Sequence, residues 1–386
     1  MSFNGSGSNN GRSTGRILLA GFLLVILLGL YALLFGNYNN IGNMARVIGL
    51  VRSQYLFTVS SSQMMDGAIN GLVDSLGDPY SVYLDPSTFS SLREQIKGSF
   101  AGLGILISIR EEQVIIVKVY KDTPAYREGI KDGDIIVKID DTDTEGLDLD
   151  TVVSMVKGAV GTEVTLTISR PDEPELLLFA VKREEIIVPT VESQLNEESR
   201  IQYIAISQFN ERTGSEMREF LIRAEEDNAS GIILDLRNNP GGELKAAVEV
   251  SRNFIPEGPI VFIADRAGGE TVYESFGETI NLPLVVLING ESASASEILA
   301  GAVKDTGAGV LVGTRTFGKG IVQTVYPLRD GAGLKLTTAH YLTPAKNNIH
   351  EKGVEPDIHI EQDRDNPNSD LQLEKALEVM EGLIGE

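Results

Sequence analysis

Cysteine and tryptophan are both missing from this chain of 386 residues, and histidine occurs only 3 times. Without cysteine there can be no disulfide, no thiol nucleophile and no thiolate cluster, a composition compatible with an oxidising compartment. The few histidines show no HExxH or paired-ligand spacing, so neither a metal nor a cofactor is expected. Positive charge is also scarce: 33 Lys and Arg stand against 55 Asp and Glu, a formal net charge of −22. That balance repels phosphate backbones and anionic lipid surfaces, which argues against nucleic acid as a partner of the globular part.

Long apolar runs are rare as well, with one exception. Ile17–Phe35 carries no charge, and as a helix it would extend roughly 28 Å, close to the hydrocarbon thickness of a bilayer. It is expected to be a single transmembrane anchor (17–35) behind a disordered, Gly/Ser/Asn-rich tail (1–16). Arg12 and Arg16 precede the run, whereas Arg46 and Arg52 lie well past it. The positive-inside bias therefore puts the tail in the cytoplasm and the rest of the chain outside a bacterial-type cell membrane. The run is longer than a signal-peptide core and has no Ala-x-Ala site before Gly36, which favours an uncleaved anchor.

What is present centres on Asn289–Gln323, NGESASASEILAGAVKDTGAGVLVGTRTFGKGIVQ. The branched apolar run LPLVVLI (Leu282–Ile288) before it reads as a buried strand. After a turn at Asn289 and Gly290, Ser294 and Glu297 have the Ser-x-x-Glu form of a capping box at the start of a helix. N–H groups at a helix start lack intrahelical partners and carry the positive end of the dipole, so a hydroxyl there lies beside ready donors for an oxyanion. Spacing alone does not choose among Ser292, Ser294 and Ser296.

Lys319 follows, between Gly318 and Gly320. As a general base it must be neutral, which means lowering a pKa of about 10.4 to roughly 7–8 by burial. Phe317, Ile321 and Val322 are the expected apolar neighbours. Gln323 lies about 13 Å along an ideal strand, so its amide can reach the amine only if the glycines bend the chain. GTRTFGKG also matches the phosphate-loop pattern GxxxxGK, but it puts Gly320 where Ser or Thr should hold magnesium, and a strand rather than a helix follows. Nucleotide binding is not expected.

SASASE followed by FGKGIVQ, with LDLRNNPGG upstream, resembles the C-terminal processing peptidases, also called tail-specific proteases; the likeness runs from Asp66 to Pro356. The resemblance implies that Ser294 is the nucleophile, Lys319 the base and Gln323 the residue that orients it. It also implies oxyanion donors from the Gly241/Gly242 loop and from Ala295. A Ser-His-type hydrolase using His340 is the competing enzyme reading, and an inactive peptide-binding adaptor is the competing non-enzyme reading.

The remaining chain divides accordingly. Helical patterns at Ser61–Leu76 and from Pro86 to Gly98 suggest a helical cap over 37–97, similar to the small cap of that family, with self-association as one expected role. Residues 98–183 alternate short strands with one helix and resemble a PDZ domain, with Gly102, Leu103, Gly104 and Ile105 matching its carboxylate-binding loop. Consecutive N–H groups would take a terminal carboxylate while the next strand edge pairs with the peptide. Residues 184–386 alternate strands and helices, as an α/β core with a largely parallel or mixed sheet. Together these give a mixed α/β protein with a PDZ domain between cap and protease core, acting on peptides or proteins with apolar C-terminal tails.

Overall fold

A computed structural model describes residues 21, 22, 24–26, 38–171, 173–363, 366 and 369–385. The expected tail and most of the expected membrane-crossing run lie outside these residues. Among the described residues, no helix is long and apolar enough to cross a membrane.

The chain divides into two compact units between Gly77 and Asp78. The first contains helices α1 (Tyr38–Gln54) and α2 (Ser61–Asp74). Ser60 caps α2 reciprocally: its hydroxyl accepts from the Gln63 N–H at 3.1 Å, and the Gln63 side chain accepts from the Ser60 N–H at 2.9 Å. Met44, Val47, Leu50 and Leu72 of these helices are exposed.

The second unit opens with strand β1 (Val82–Leu84) and helix α3 (Pro86–Lys97). Asp85 caps α3 by accepting from the Thr88 N–H at 2.8 Å, Pro86 starts it, and Gly98 ends it in the left-handed region. The helix expected to complete the cap is thus part of this second unit. Its Phe89 is buried, and a β-carbon on Gly333 would lie 2.7 Å from the ring.

Strand β2 (Ser99–Gly102) leads into an antiparallel sheet of β3 (Ile105–Arg110), β4 (Gln113–Val119), β5 (Ile135–Ile139), β6 (Glu163–Ser169) and β7 (Leu177–Lys182), in that order. Alternate residues such as Val114, Ile116, Val164, Leu166 and Ile168 point inward and pack with Val152 and Val156 of helix α4 (Leu149–Val156). Strand β8 (Glu184–Ile187) pairs with β2, so the chain enters and leaves this sheet side by side. Among the described residues, one edge of β3 carries no strand partner, and α4 lies next to it.

The core contains β9 (Val191–Leu195), β10 (Ile201–Ile206), helix α5 (Thr213–Glu226), β11 (Gly231–Asp235) and helix α6 (Leu244–Arg252). Strands β12 (Gly258–Asp265), β13 (Glu270–Ser275) and β14 (Leu284–Ile288) follow, then helix α7 (Ala295–Thr306) and β15 (Val310–Gly313). The chain ends with β16 (Ile321–Pro327), β17 (Gly333–Leu342), β18 (Ile358–His359) and helix α8 (Leu371–Gly385).

The main sheet has the order β9-β10-β11-β14-β15-β18 and is parallel except for β9. Strand β14 and, up to Leu234, strand β11 at its centre are apolar because both faces are covered. Ile232, Leu234, Leu284, Val286 and Ile288 meet α5, α6 and α7, while Ile233, Val285 and Leu287 meet Ala376 and Met380 of α8. Arg237 ties α8 down by pairing with Asp235 at 2.6 Å and Asp370 at 2.7 Å. Burial pushes the Asp370 carboxyl up, but Arg237, the Leu373 N–H and the Gln362 amide together outweigh it and leave the pKa at about 2. A second, antiparallel sheet, β1-β17-β12-β13 with β16 also on β17, lacks an obvious counterpart in the alternating pattern of the sequence.

Candidate active site

The buried strand β14 ends at Ile288, and six residues later the chain enters α7 at its N-cap, Ser294. Ser294 has φ 55° and ψ −111°, outside the regions where a residue with a side chain is comfortable. Backbone bonds hold it there: its N–H donates to Glu297 at 2.8 Å and its carbonyl accepts from the Tyr341 hydroxyl at 3.1 Å. A serine on a strained strand-to-helix turn has its hydroxyl presented rather than packed.

The neighbouring serines are placed differently. Ser292 and Ser296 are fully buried, and their hydroxyls donate to the carbonyls of Leu236 at 2.8 Å and Asn239 at 3.0 Å. Of the three hydroxyls that spacing left open, only that of Ser294 belongs to a residue lining a cleft.

The loop after β11 approaches Ser294 closely. Buried Asn239 shapes it, donating to the Ile206 carbonyl at 2.8 Å and accepting from the Gly241 N–H at 2.9 Å. The Gly241 donor is therefore already engaged, whereas the N–H groups of Gly242 and Ala295 donate to no acceptor among the described residues. Both glycines are sterically required. A β-carbon on Gly241 (φ 98°) would stand 2.6 Å from the Ala293 carbonyl oxygen, and one on Gly242 (φ 142°) would stand 1.9 Å from the Phe209 carbonyl oxygen.

Lys319 reaches the same cleft from the loop before β16. Its amine lies 4.7 Å from the centre of the Tyr80 ring. Burial lowers its pKa from the ordinary lysine value, the Lys335 ammonium lowers it further, and Glu297 and Asp78 pull the other way. Ile321 is buried as expected, but Phe317 is 55% exposed, and Tyr80 takes the place expected for it. The bend that Gln323 needs is a β-bulge at Val322/Gln323, where β16 shifts register against β17. Gln323 thereby lines the cleft with Lys319, although its amide donates at 3.4 Å to the Ile321 carbonyl and not to the lysine.

Glu297 joins the two halves of the site. Its wholly buried carboxylate accepts from Thr316 Oγ1 at 2.6 Å and Gly318 N–H at 2.7 Å on one oxygen. The other oxygen accepts from Ser294 N–H and Lys319 N–H, both at 2.8 Å, and from the Tyr341 hydroxyl at 3.3 Å. Burial and the adjacent carboxylate push the Tyr341 hydroxyl well above its usual range, so it stays a donor. One side chain thus fixes the backbone beside both Ser294 and Lys319. The Ser-x-x-Glu spacing identified only its capping bond; the Thr316, Gly318, Lys319 and Tyr341 contacts come from distant segments.

Ser294, Ala295, Gly241, Gly242, Lys319 and Gln323 together line a cavity of about 470 Å³. Leu92, Ile96, Phe209, Leu244, Ile298 and Val325 give it apolar walls. His340 is not among its lining residues; it is exposed on β17, its ring 6.0 Å from that of His350. Gly102, Leu103, Gly104 and Ile105 also lie away from this cleft, at the junction of β2 and β3. Among the described residues, no group of acidic and histidine side chains could hold a metal ion.

A hydroxyl, a half-buried amine and two free N–H groups on one cleft are the parts of an acyl-transfer site. Residues 200–360 match peptidase family S41. The chain is 37% identical over 337 residues to the carboxy-terminal processing protease CtpB of Bacillus subtilis (strain 168), covering 86% of this chain and 70% of that one.

The chain belongs to peptidase family S41.

It is accordingly a serine-type peptidase of the carboxy-terminal processing group. Residues 115–170 match the PDZ domain, and residues 35–88 match the N-terminal domain of the activating protease CtpB. A probable CtpA-like serine protease of Staphylococcus aureus (strain bovine RF122 / ET3-1) is 34% identical over 359 residues, covering 89% of this chain and 72% of that one. Among solved structures, the photosystem II D1 C-terminal processing protease aligns with a TM-score of 0.50 at 31% identity, over 86% of this chain and 89% of that one.

Proposed function

We propose that this S41 peptidase is a membrane-anchored endopeptidase that holds substrates by apolar C-terminal tails and cuts them with a Ser294–Lys319 dyad supported by Gln323. The observation that carries the reading is that Ser294 and the half-buried, pKa-lowered Lys319 open onto one cleft beside two unengaged N–H groups.

Ser294 Oγ attacks the scissile carbonyl carbon while the neutral Lys319 amine takes its proton. The N–H groups of Gly242 and Ala295 hold the oxyanion, a part for which the engaged Gly241 is the poorer candidate. The tetrahedral intermediate collapses, the C–N bond breaks, and the Lys319 ammonium returns the proton to the leaving amine. Water then attacks the acyl-serine, giving its proton to Lys319, and the carboxyl product leaves as Ser294 Oγ is reprotonated. For the first step the amine must leave the Tyr80 ring and turn to Ser294, with the Gln323 amide orienting it. A Gly242→Ala variant is expected to lose roughly 100-fold or more in kcat, since its methyl group must displace the donor loop. Assay of kcat beside the melting temperature separates that loss from unfolding.

Tail recognition rests on the PDZ match and on the free edge of β3 beside α4, with the Gly102–Ile105 loop at its start. The uncharged run Ile17–Phe35 supports a single-pass anchor with the catalytic part outside the cytoplasm. The exposed apolar residues of α1 and α2 support self-association. The test compares cleavage of one peptide with a free or an amidated C-terminus, the cut lying far upstream. Amidation is expected to raise KM about tenfold or more. Equal kinetics would remove the tail-holding role, and peptide bound but never cut would support a plain adaptor.

A further inference from the structure

The cleft contains a second lysine that the dyad does not use. Lys335 lies on β17 opposite Val325, and two rungs on, at the bulge, Thr337 pairs with Gln323. Alternate residues of a strand share a face, so Gln323, Val325 and Lys335 form one floor, and all three line the cleft with Lys319. No carboxylate pairs with Lys335 among the described residues. An unpaired ammonium facing the cleft is notable in a chain of net charge −22.

The other charged and titratable groups around Lys319 are each tied down or opposed. Glu297, from α7, spends its charge on five donors. Asp78, from the turn before β1, accepts from the Ser81 hydroxyl at 2.5 Å and the Tyr80 N–H at 3.0 Å, and it feels His350. Tyr341 donates to Ser294 and Glu297. From the loop and start of α6, Glu243 accepts from the Ala246 N–H at 3.1 Å, and exposed Lys245 opposes it across the rim. From α3 only Leu92, Gln95 and Ile96 line the cleft, none of them charged.

We infer that Lys335 is a positioning residue for catalysis, whose unpaired charge on the cleft floor acts on the Lys319 amine in the same cleft and favours its use as the base. A nearby cation makes a second proton on the neighbouring amine unfavourable, a recognised way of activating a buried lysine. The inference rests on the Ser294–Lys319 reading.

The test is the pH profile of kcat/KM for the full chain on a peptide with an apolar C-terminus, with Lys335→Met, Lys335→Gln, Lys335→Arg and Lys335→Glu. Removing the charge should raise the Lys319 pKa, so the acid limb should move to higher pH by about 0.5–1 unit, with a larger shift for Glu. Below the limb that shift is a loss of about 3–10-fold; well above it, variant and parent should converge. Lys335→Arg should leave the limb in place. An unmoved limb in both Met and Gln variants, or a loss equal at every pH, would overturn the inference, because a merely structural or substrate-binding lysine behaves so. If Lys319→Ala still cleaves, the dyad reading fails; if it is dead while the Lys335 variants keep the parent limb, only this inference fails.

Discussion

Ser294→Ala is expected to lower kcat by roughly four to six orders of magnitude, and Lys319→Ala by about 10³-fold or more, with the fold retained in both. Both positions open onto the cleft, so the smaller side chains leave no buried donor stranded. The two losses should not add, because either change removes the same proton-transfer step. The neighbouring serines provide the control. Ser292→Ala breaks a buried hydroxyl-to-carbonyl bond to Leu236 and should cost about 1–2 kcal/mol of stability, while cleavage persists. His340→Ala should change kcat by less than about twofold, since its ring lies outside the cleft on an exposed strand position. A His340 variant as inactive as the Ser294 variant would move the base to the imidazole and end the lysine reading.

Glu297→Ala is expected to have the largest effect on the fold of any single change near the site. It strips the acceptor from three backbone N–H groups and two hydroxyls in a wholly buried place. Each stranded donor costs about 1–3 kcal/mol in isolation, but relaxation and water entry prevent simple addition, so about 3–5 kcal/mol is the reasonable scale. Against a total stability of about 5–15 kcal/mol, that leaves the variant partly unfolded at working temperature. Glu297→Gln keeps the shape but turns one acceptor into a donor that faces other donors. It should therefore lower both the melting temperature, by about 5 °C or more, and kcat, by roughly 100-fold. The kcat loss follows because the strained Ser294 backbone and the Lys319 backbone hang from the same carboxylate. Parent-like melting and a rate within threefold for Glu297→Gln would show that the site does not depend on this connection.

How much of this was legible in the sequence varies with how local each cause is. The run Leu284–Ile288, the turn at Asn289 and the helix from Ala295 follow from side-chain branching, Gly/Asn turn chemistry and a capping pair, all within a few residues. The two-faced burial of β11 and β14 is likewise written in their unbroken apolar runs. Non-local causes were not legible. Asp78-Pro79 reads as a break in the chain, yet the Tyr80 that follows brings the ring that lies on Lys319, because β1 pairs with β17 and carries the turn to the site. Gln323 faces the cleft through a bulge that no glycine or proline marks at that position. Helix α8 and its Arg237–Asp370 tether join residues far apart in the chain, and the arginine alone looks like an ordinary loop charge.

The central claim is that an unprotonated amine activates one hydroxyl, and labelling with a serine-directed fluorophosphonate across pH measures this most directly. The expected result is a single adduct on Ser294. Its rate should rise with pH to a plateau, with a midpoint well below the ordinary lysine value of about 10.4. That pH-dependent rate should vanish in Lys319→Ala and survive in His340→Ala. Equal labelling without Lys319, or an adduct on Ser292 or Ser296, would contradict it.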